Sequence, residues 1–238
     1  MSAMSLPIAL YFLAKARRVR KCLYVAILGA LSFAIIVSGS RVALLAGAIV
    51  VVYMLAVSPS LRRKITPLAL SIGVMVLAST LVVASETSES ALARLGPGSL
   101  SAVRSDARRD VVRSEALRQI EARPLTGVGF GSIEGAHSNF LQFLQSGGVL
   151  AILAFLLFVG GAVRTGLRLG RRARTSERRG LALALLGSIG ALLVAGVASN
   201  DVAGRGLYVP VGLIAALAMI ERREKVASRL PATPSGRS

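Results

Sequence analysis

The 238-residue sequence predicts an all-α fold: a polytopic membrane helix bundle with about six spans and one long extracytoplasmic loop containing an amphipathic helix. Three observations predict it. Hydrophobic residues make up 54% of the chain and charged residues only 17%, against about 45–50% and about 25% in an ordinary soluble domain. Apolar runs close to the length needed to cross a bilayer recur along the chain. Most of the Lys and Arg, 20 of 29, fall on one side of those runs, with few acids beside them.

The first apolar run, Leu6–Ala14, is too short to span, because crossing takes about 20 residues. It lacks the basic start and small-residue cleavage site of a signal peptide. It reads as the inner end of a span whose beginning is missing or as a peripheral foot, within a basic cytoplasmic segment covering residues 1–21. Three spans follow within residues 22–84: Cys22–Ser38, Val42–Val57 and Ile65–Ala84. The first two form a tight hairpin around Ser38-Gly39-Ser40-Arg41. Residues 85–139 are the outer loop, and residues 140–220 hold the spans Phe140–Val163, Leu181–Ala198 and Gly206–Ile220. The polar, Pro-containing stretch 221–238 is a cytoplasmic, disordered tail.

Orientation follows from the basic residues. Lys15–Lys21, Arg62–Lys64, Arg164–Arg179 and Arg222–Arg237 hold 20 of the 29 Lys and Arg, and the only acids on that side are Glu177, Glu221 and Glu224. Placing these segments inside puts both termini in the cytoplasm, as in a multi-pass protein of a bacterial inner membrane. The net charge of +18 is then topological, and nucleic acid is excluded as a partner; membrane lipids are expected instead. The single Cys22 and single His137 exclude an intrachain disulfide and Cys-based or two-His metal motifs, so neither metal nor cofactor is expected. Gly29, Gly47, Gly187, Gly190 and Gly196 fall within spans, where small residues let helices approach closely.

The outer loop carries seven basic and seven acidic residues. After Gly96-Pro97-Gly98-Ser99, the stretch Ser101–Arg123 has a helical pattern, with Val103, Ala107, Val111, Leu117 and Ile120 as its apolar stripe. Such a helix suits the outer membrane surface, and Pro124 ends it. The segment Pro124-Leu125-Thr126-Gly127-Val128-Gly129-Phe130-Gly131 is a flexible turn or an anion-binding nest of amides. His137, at the mouth of the next span, is an ordinary loop residue or a general base. Arg41, between two apolar helices, snorkels to the interface or holds an anion.

Ser38-Gly39-Ser40-Arg41, then Arg109 fifteen residues before Pro124, then Gly127-Val128-Gly129-Phe130-Gly131, His137-Ser138-Asn139-Phe140-Leu141-Gln142 and Gln145-Ser146-Gly147-Gly148 follow one another in a telling order. That order and spacing, from about Ser32 to Ile220, resemble the O-antigen ligase / polysaccharide polymerase family of bacterial membrane proteins, with this chain corresponding to its C-terminal half. The resemblance implies a metal-independent, inverting glycosyltransferase at the outer face of the cytoplasmic membrane. It would move a glycan from an undecaprenyl pyrophosphate carrier to an acceptor hydroxyl on a glycan or lipid. It further implies His137 as the base on that hydroxyl, and Arg41 and Arg109 as ligands of the pyrophosphate. Asn139, Gly127 and Gly129 would position substrate.

This chain departs from the family in length and number of spans, which raises the alternatives of a truncated remnant or one half of a split protein with a missing N-terminal half. A repeat-unit polymerase is a further alternative. A Trp often found one turn after the loop Arg is Arg113 here, so Arg113, with Arg104 and Arg108, competes as a pyrophosphate ligand.

Overall fold

The computed structural model describes residues 2–38, 41–58, 100–129, 138–197 and 206–228. Within them the chain is all-helical: α1 (Ser2–Lys15), α2 (Arg18–Val37), α3 (Arg41–Val57), α4 (Leu100–Ala122), α5 (Asn139–Arg172), α6 (Ser176–Gly196) and α7 (Tyr208–Ala227). The anticipated span Ile65–Ala84, the loop before Leu100, His137, the Arg41 and Arg104 side chains and the tail after Ser228 lie outside the described residues.

α6 is the centre. Thr175 caps its start, its side chain accepting from the Arg178 amide. Ala182, Ala184, Leu185, Leu186, Gly187, Ser188, Ile189 and Ala191 are all buried, while Leu181, Leu183 and Gly190 are half-buried, so most of the middle of the helix is covered by its neighbours. One core joins α6 to α1, α2 and α3 through Leu6, Leu10, Leu28, Val50 and Met54. A second joins it to α5 and α7 through Phe155, Val159, Leu185, Ile189 and Ile214.

The small residues of α6 set how closely these partners approach. A Cβ on Gly180 would lie 2.6 Å from the Tyr11 ring, and one on Gly187 3.1 Å from both the Tyr53 ring and Pro7. Each tyrosine then donates its hydroxyl to an α6 carbonyl: Tyr11 to Glu177 at 2.9 Å and Tyr53 to Leu183 at 3.0 Å. A ring over a glycine gains apolar contact while its polar tip is satisfied by backbone, which suits an apolar surrounding. The expected small-residue packing holds at Gly187, whereas Gly190 faces open space.

α1 corrects the expectation of a peripheral foot. Leu6, Leu10, Tyr11 and Leu13 are buried, because α1 packs against α2, α3 and α6 at once.

α5 is longer than the expected span Phe140–Val163, and it is interrupted at Gly148 (φ 62°, ψ −156°). Among the described residues, α5 and α6 are long and apolar enough to cross a membrane, while Ala3–Lys15 and Val42–Val57 are apolar but shorter. The outer face of α5 presents Leu150, Leu153, Leu156, Leu157 and Phe158 to the surroundings. A continuous apolar exterior of this kind marks an interaction with other protein or with lipid.

The helix ends sort by polarity. Lys15 pairs with Glu177 at 3.4 Å, and Arg178 binds Glu221 at 3.0 Å and both carboxylate oxygens of Glu224, at 2.7 and 2.5 Å. The C-termini of α1, α5 and α7 therefore meet the N-terminus of α6 at one basic end. At the opposite end, Asn139 at the start of α5 touches Gly196 at the end of α6, and Gly206 before α7 touches Met4 of α1.

The Arg178 hydrogen bonds hold the Glu221 and Glu224 carboxyls below the ordinary value of 4.5. Their contribution is therefore complete above pH 4.5 and lost as pH falls below it, through the lower folded value. The thermal midpoint of the detergent-solubilised protein should drop on acidification through that range, and Arg178→Met should flatten that part of the profile. Melting curves from pH 7 downward on both proteins check this.

Candidate functional site

Residues 100–129 and the first turns of α5, up to Gly148, are built as one unit. α4 forms where the sequence places it, and Pro124 follows its end at Ala122. Of the expected apolar stripe, Ala107, Val111 and Leu117 are exposed and Ile120 is half-buried, while the Val103 side chain lies outside the described residues. The side of α4 turned to the protein carries the fully buried Ala116 and the half-buried Val112, Gln119 and Ile120, and Gln119 bonds to Gln145 of α5.

After α4 the chain turns sharply, the Gly127 amide donating back to the Arg123 carbonyl at 2.9 Å. Gly127 (φ 63°) and Gly129 (φ 97°) both have left-handed backbone. The segment then lies against the interruption of α5. In an unbroken helix the carbonyls of Gln145 and Ser146 would accept from residues 149 and 150. With Gly148 out of helical geometry, they accept instead from the Val128 amide (2.9 Å) and the Gly129 amide (2.8 Å), while the Val149 amide donates to the Pro124 carbonyl (2.9 Å). The break thus leaves these groups satisfied, as an apolar setting requires.

The two backbones interlock at their glycines. A Cβ on Gly127 would sit 2.5 Å from the Gln145 carbonyl oxygen, and one on Gly148 would overlap the Leu125 and Pro124 carbonyls. This answers the alternatives left open for the Gly-rich segment: residues 124–129 are neither a loose turn nor an open nest, because the amides of Gly127, Val128 and Gly129 are spent on protein carbonyls.

Polar side chains run along the same turns of α5. The Gln145 Nε2 donates to Gln119 Oε1 at 2.8 Å, and Gln119 Nε2 donates to Glu115 Oε1 at 3.1 Å. Arg118 pairs with the other Glu115 oxygen at 2.9 Å. An ionised carboxylate only accepts, so Gln119 must turn its amino group to Glu115 and its oxygen to Gln145. Gln145 must then turn its own amino group to Gln119. Its Oε1 is left as an acceptor in a side chain only 3% exposed, without a partner among the described residues. Asn139 Oδ1 and Gln142 Oε1 are likewise buried acceptors without a partner among the described residues. Three such oxygens between α4 and the end of α6 suit a ligand that donates hydrogen bonds, such as a sugar hydroxyl or a water.

Of the sequence-predicted site residues, Asn139, Gly127 and Gly129 belong to this unit. Arg109 and Arg113 are exposed on α4. Arg109 lies one and two turns before Val112 and Ala116, so helical register places it on the docking side of α4; Arg113 stands in the same relation to Ala116 and Ile120. His137 and the Arg41 side chain lie outside the described residues. Gln142, Gln145 and Gln119 were missed by sequence reasoning. The signal was Gln145-Ser146-Gly147-Gly148 inside an apolar run, where paired glycines beside polar residues point to a break.

No family model, curated protein or solved structure matches the chain.

The interlock yields a graded expectation. Gly148→Ala should destabilise by about 2–4 kcal/mol, combining roughly 1–2 for left-handed backbone with the cost of displacing a carbonyl. Gly129→Ala, with no atom nearby, should cost only the backbone part, about 1–2 kcal/mol. Gly161→Ala, in an open helical position, should be neutral or stabilising by up to about 1 kcal/mol. Unfolding midpoints in mixed micelles rank the three.

Proposed function

We propose that this chain is a membrane glycosyltransferase of the O-antigen ligase type. It transfers a glycan from an undecaprenyl pyrophosphate carrier to an acceptor hydroxyl at the outer face of a bacterial cytoplasmic membrane, with six spans and both termini inside. The observation that supports this reading is the Gly127–Gly148 interlock. It joins the helix bearing Arg109 to the polar start of α5, two of the motif groups on which the family resemblance rests.

In this reading His137 accepts the proton of the acceptor hydroxyl as its oxygen forms a bond to the anomeric carbon. The bond from that carbon to the carrier pyrophosphate breaks, and the configuration inverts. Arg41, Arg109 and Arg113 offset the charge of the departing pyrophosphate, a task for which planar guanidinium groups are suited. Asn139, Gln142 and Gln145 receive hydroxyls of the sugars. No metal is needed, because the diphosphate is already a good leaving group.

The test is a strain lacking the gene, complemented with wild type, His137→Ala, Arg109→Ala or Gln145→Leu, with surface glycans profiled by gel and mass spectrometry. Deletion should change the glycans and wild type should restore them. His137→Ala should fail to restore them, since losing a general base costs about 10²–10⁴ in rate. Unchanged glycans on deletion would overturn the proposal. Full restoration by His137→Ala would overturn the base assignment. A change in chain length rather than in attachment would favour the polymerase reading.

A further inference from the structure

The basic end of the bundle contains two kinds of cation. Lys15 pairs with Glu177, and Arg178 with Glu221 and Glu224. Arg174 donates to Ser228 Oγ at 2.9 Å, and Arg179 to the Ala173 carbonyl at 2.7 Å. These hold helices together. Arg168 and Arg172 of α5 and Arg222 and Lys225 of α7 form a different set. All four line one groove of about 410 Å³ between the two helices, with Leu169 and Ala218 as apolar wall. None of the four makes an ion pair among the described residues. The one acid in the groove, Glu221, is committed to Arg178 and to the Arg174 amide at 2.9 Å.

Arg168 and Arg172 also border a second groove, of about 620 Å³, lined further by Arg164, Arg171, Leu167, Val163 and Gly160. It carries the basic set up one side of α5 as far as Arg164, beyond which Gly160 leads toward the exposed leucines in the middle of the helix. A concentration of positive charge whose one acid is bonded elsewhere, leading to an apolar stretch of helix, matches a molecule with an anionic head and a hydrocarbon tail.

We propose that the α5–α7 groove is a binding site for the phosphodiester headgroup of an anionic membrane glycerophospholipid, whose acyl chain extends along α5 past Gly160 toward Leu157 and Leu153. Arg168 and Arg172 reach the phosphate from one wall and Arg222 and Lys225 from the other. Guanidinium forks suit such a multidentate anion. The site rests on the membrane reading of α5 and is independent of transferase chemistry at the opposite end. The general attraction of basic loops to an anionic leaflet needs no groove and no particular residue, which is what separates it from this proposal by experiment.

The experiment uses the full chain, purified in a neutral detergent and titrated with phosphatidylglycerol, phosphatidylcholine or inorganic phosphate. Retained lipid is counted by native mass spectrometry and the thermal midpoint is recorded. Phosphatidylglycerol should be retained and should raise the midpoint, while phosphatidylcholine should do neither. The double variant Arg168→Gln/Arg222→Gln should weaken phosphatidylglycerol retention at least about tenfold. Arg20→Gln/Lys21→Gln, which removes the same charge from the start of α2, should leave it unchanged. Arg168→Lys/Arg222→Lys, which keeps the charge, should retain lipid and so separate loss of binding from loss of fold. Equal weakening by the α2 pair, equal retention of phosphatidylcholine, or an equal rise in midpoint with inorganic phosphate would each overturn the site. A strain phenotype absent on gene deletion would overturn the transferase reading and leave this one standing.

Discussion

α6 is approached closely because Gly180 and Gly187, set among its leucines, carry no side chain where Tyr11 and Tyr53 lie against it. The two tyrosines use that proximity to hydrogen-bond to its carbonyls. Larger residues at Gly180 or Gly187 would push Tyr11 or Tyr53 away and leave a hydroxyl without a partner in an apolar setting. The rest of the bundle depends on this close contact. α1 and α3 settle against one flank, α5 and α7 against the other, and the helix ends are thereby brought into two opposed groups.

Those two ends do different work with similar physics. At the basic end, acids and cations are matched across helices, so α7 is tied to α6 by charge as well as by packing. At the other end α4, whose surface is mostly polar, is tied to α5 by the Gln119–Gln145 bond and by backbone. Gly148 gives up helical geometry, and the hydrogen bonds it would have made inside α5 are made instead with residues 124–129. A polar loop is thus anchored at the margin of an apolar helix with its amides and carbonyls satisfied.

The same break explains why amide side chains can sit on α5 at all. Asn139, Gln142 and Gln145 precede Gly148, in the short helical segment that the loop and α4 cover, and the long apolar segment follows it. Glu115, Gln119 and Gln145 form a chain whose direction is fixed by the carboxylate at its outer end. An exposed charge thereby sets which atom of a buried glutamine is offered to the interior. The proposed acceptor hydroxyls would meet oxygens whose orientation is decided a helix away.

The helical class, the approximate bounds of the helices, and the segregation of basic residues were legible in the sequence, because apolar runs and charge sidedness are local properties that need no partner to be seen. The α4 helix and its stop at Pro124 were legible for the same reason. Its side facing the protein was not: apolar periodicity singled out a stripe for the membrane surface of which only Ile120 is half-buried here, whereas Ala116 is buried and Gln119 bonds to α5. The place of α1 could not be read either, since a short apolar segment looks the same at the rim of a bundle as in its middle. Nor could the Gly127–Gly148 interlock. Each glycine is permissive taken alone, and only the approach of another backbone decides which of its conformations is used. Sequence by itself determined which segments coil and which carry charge. Tertiary structure decided what each touches, because hydrogen bonds exchanged between two backbones leave no pattern in either.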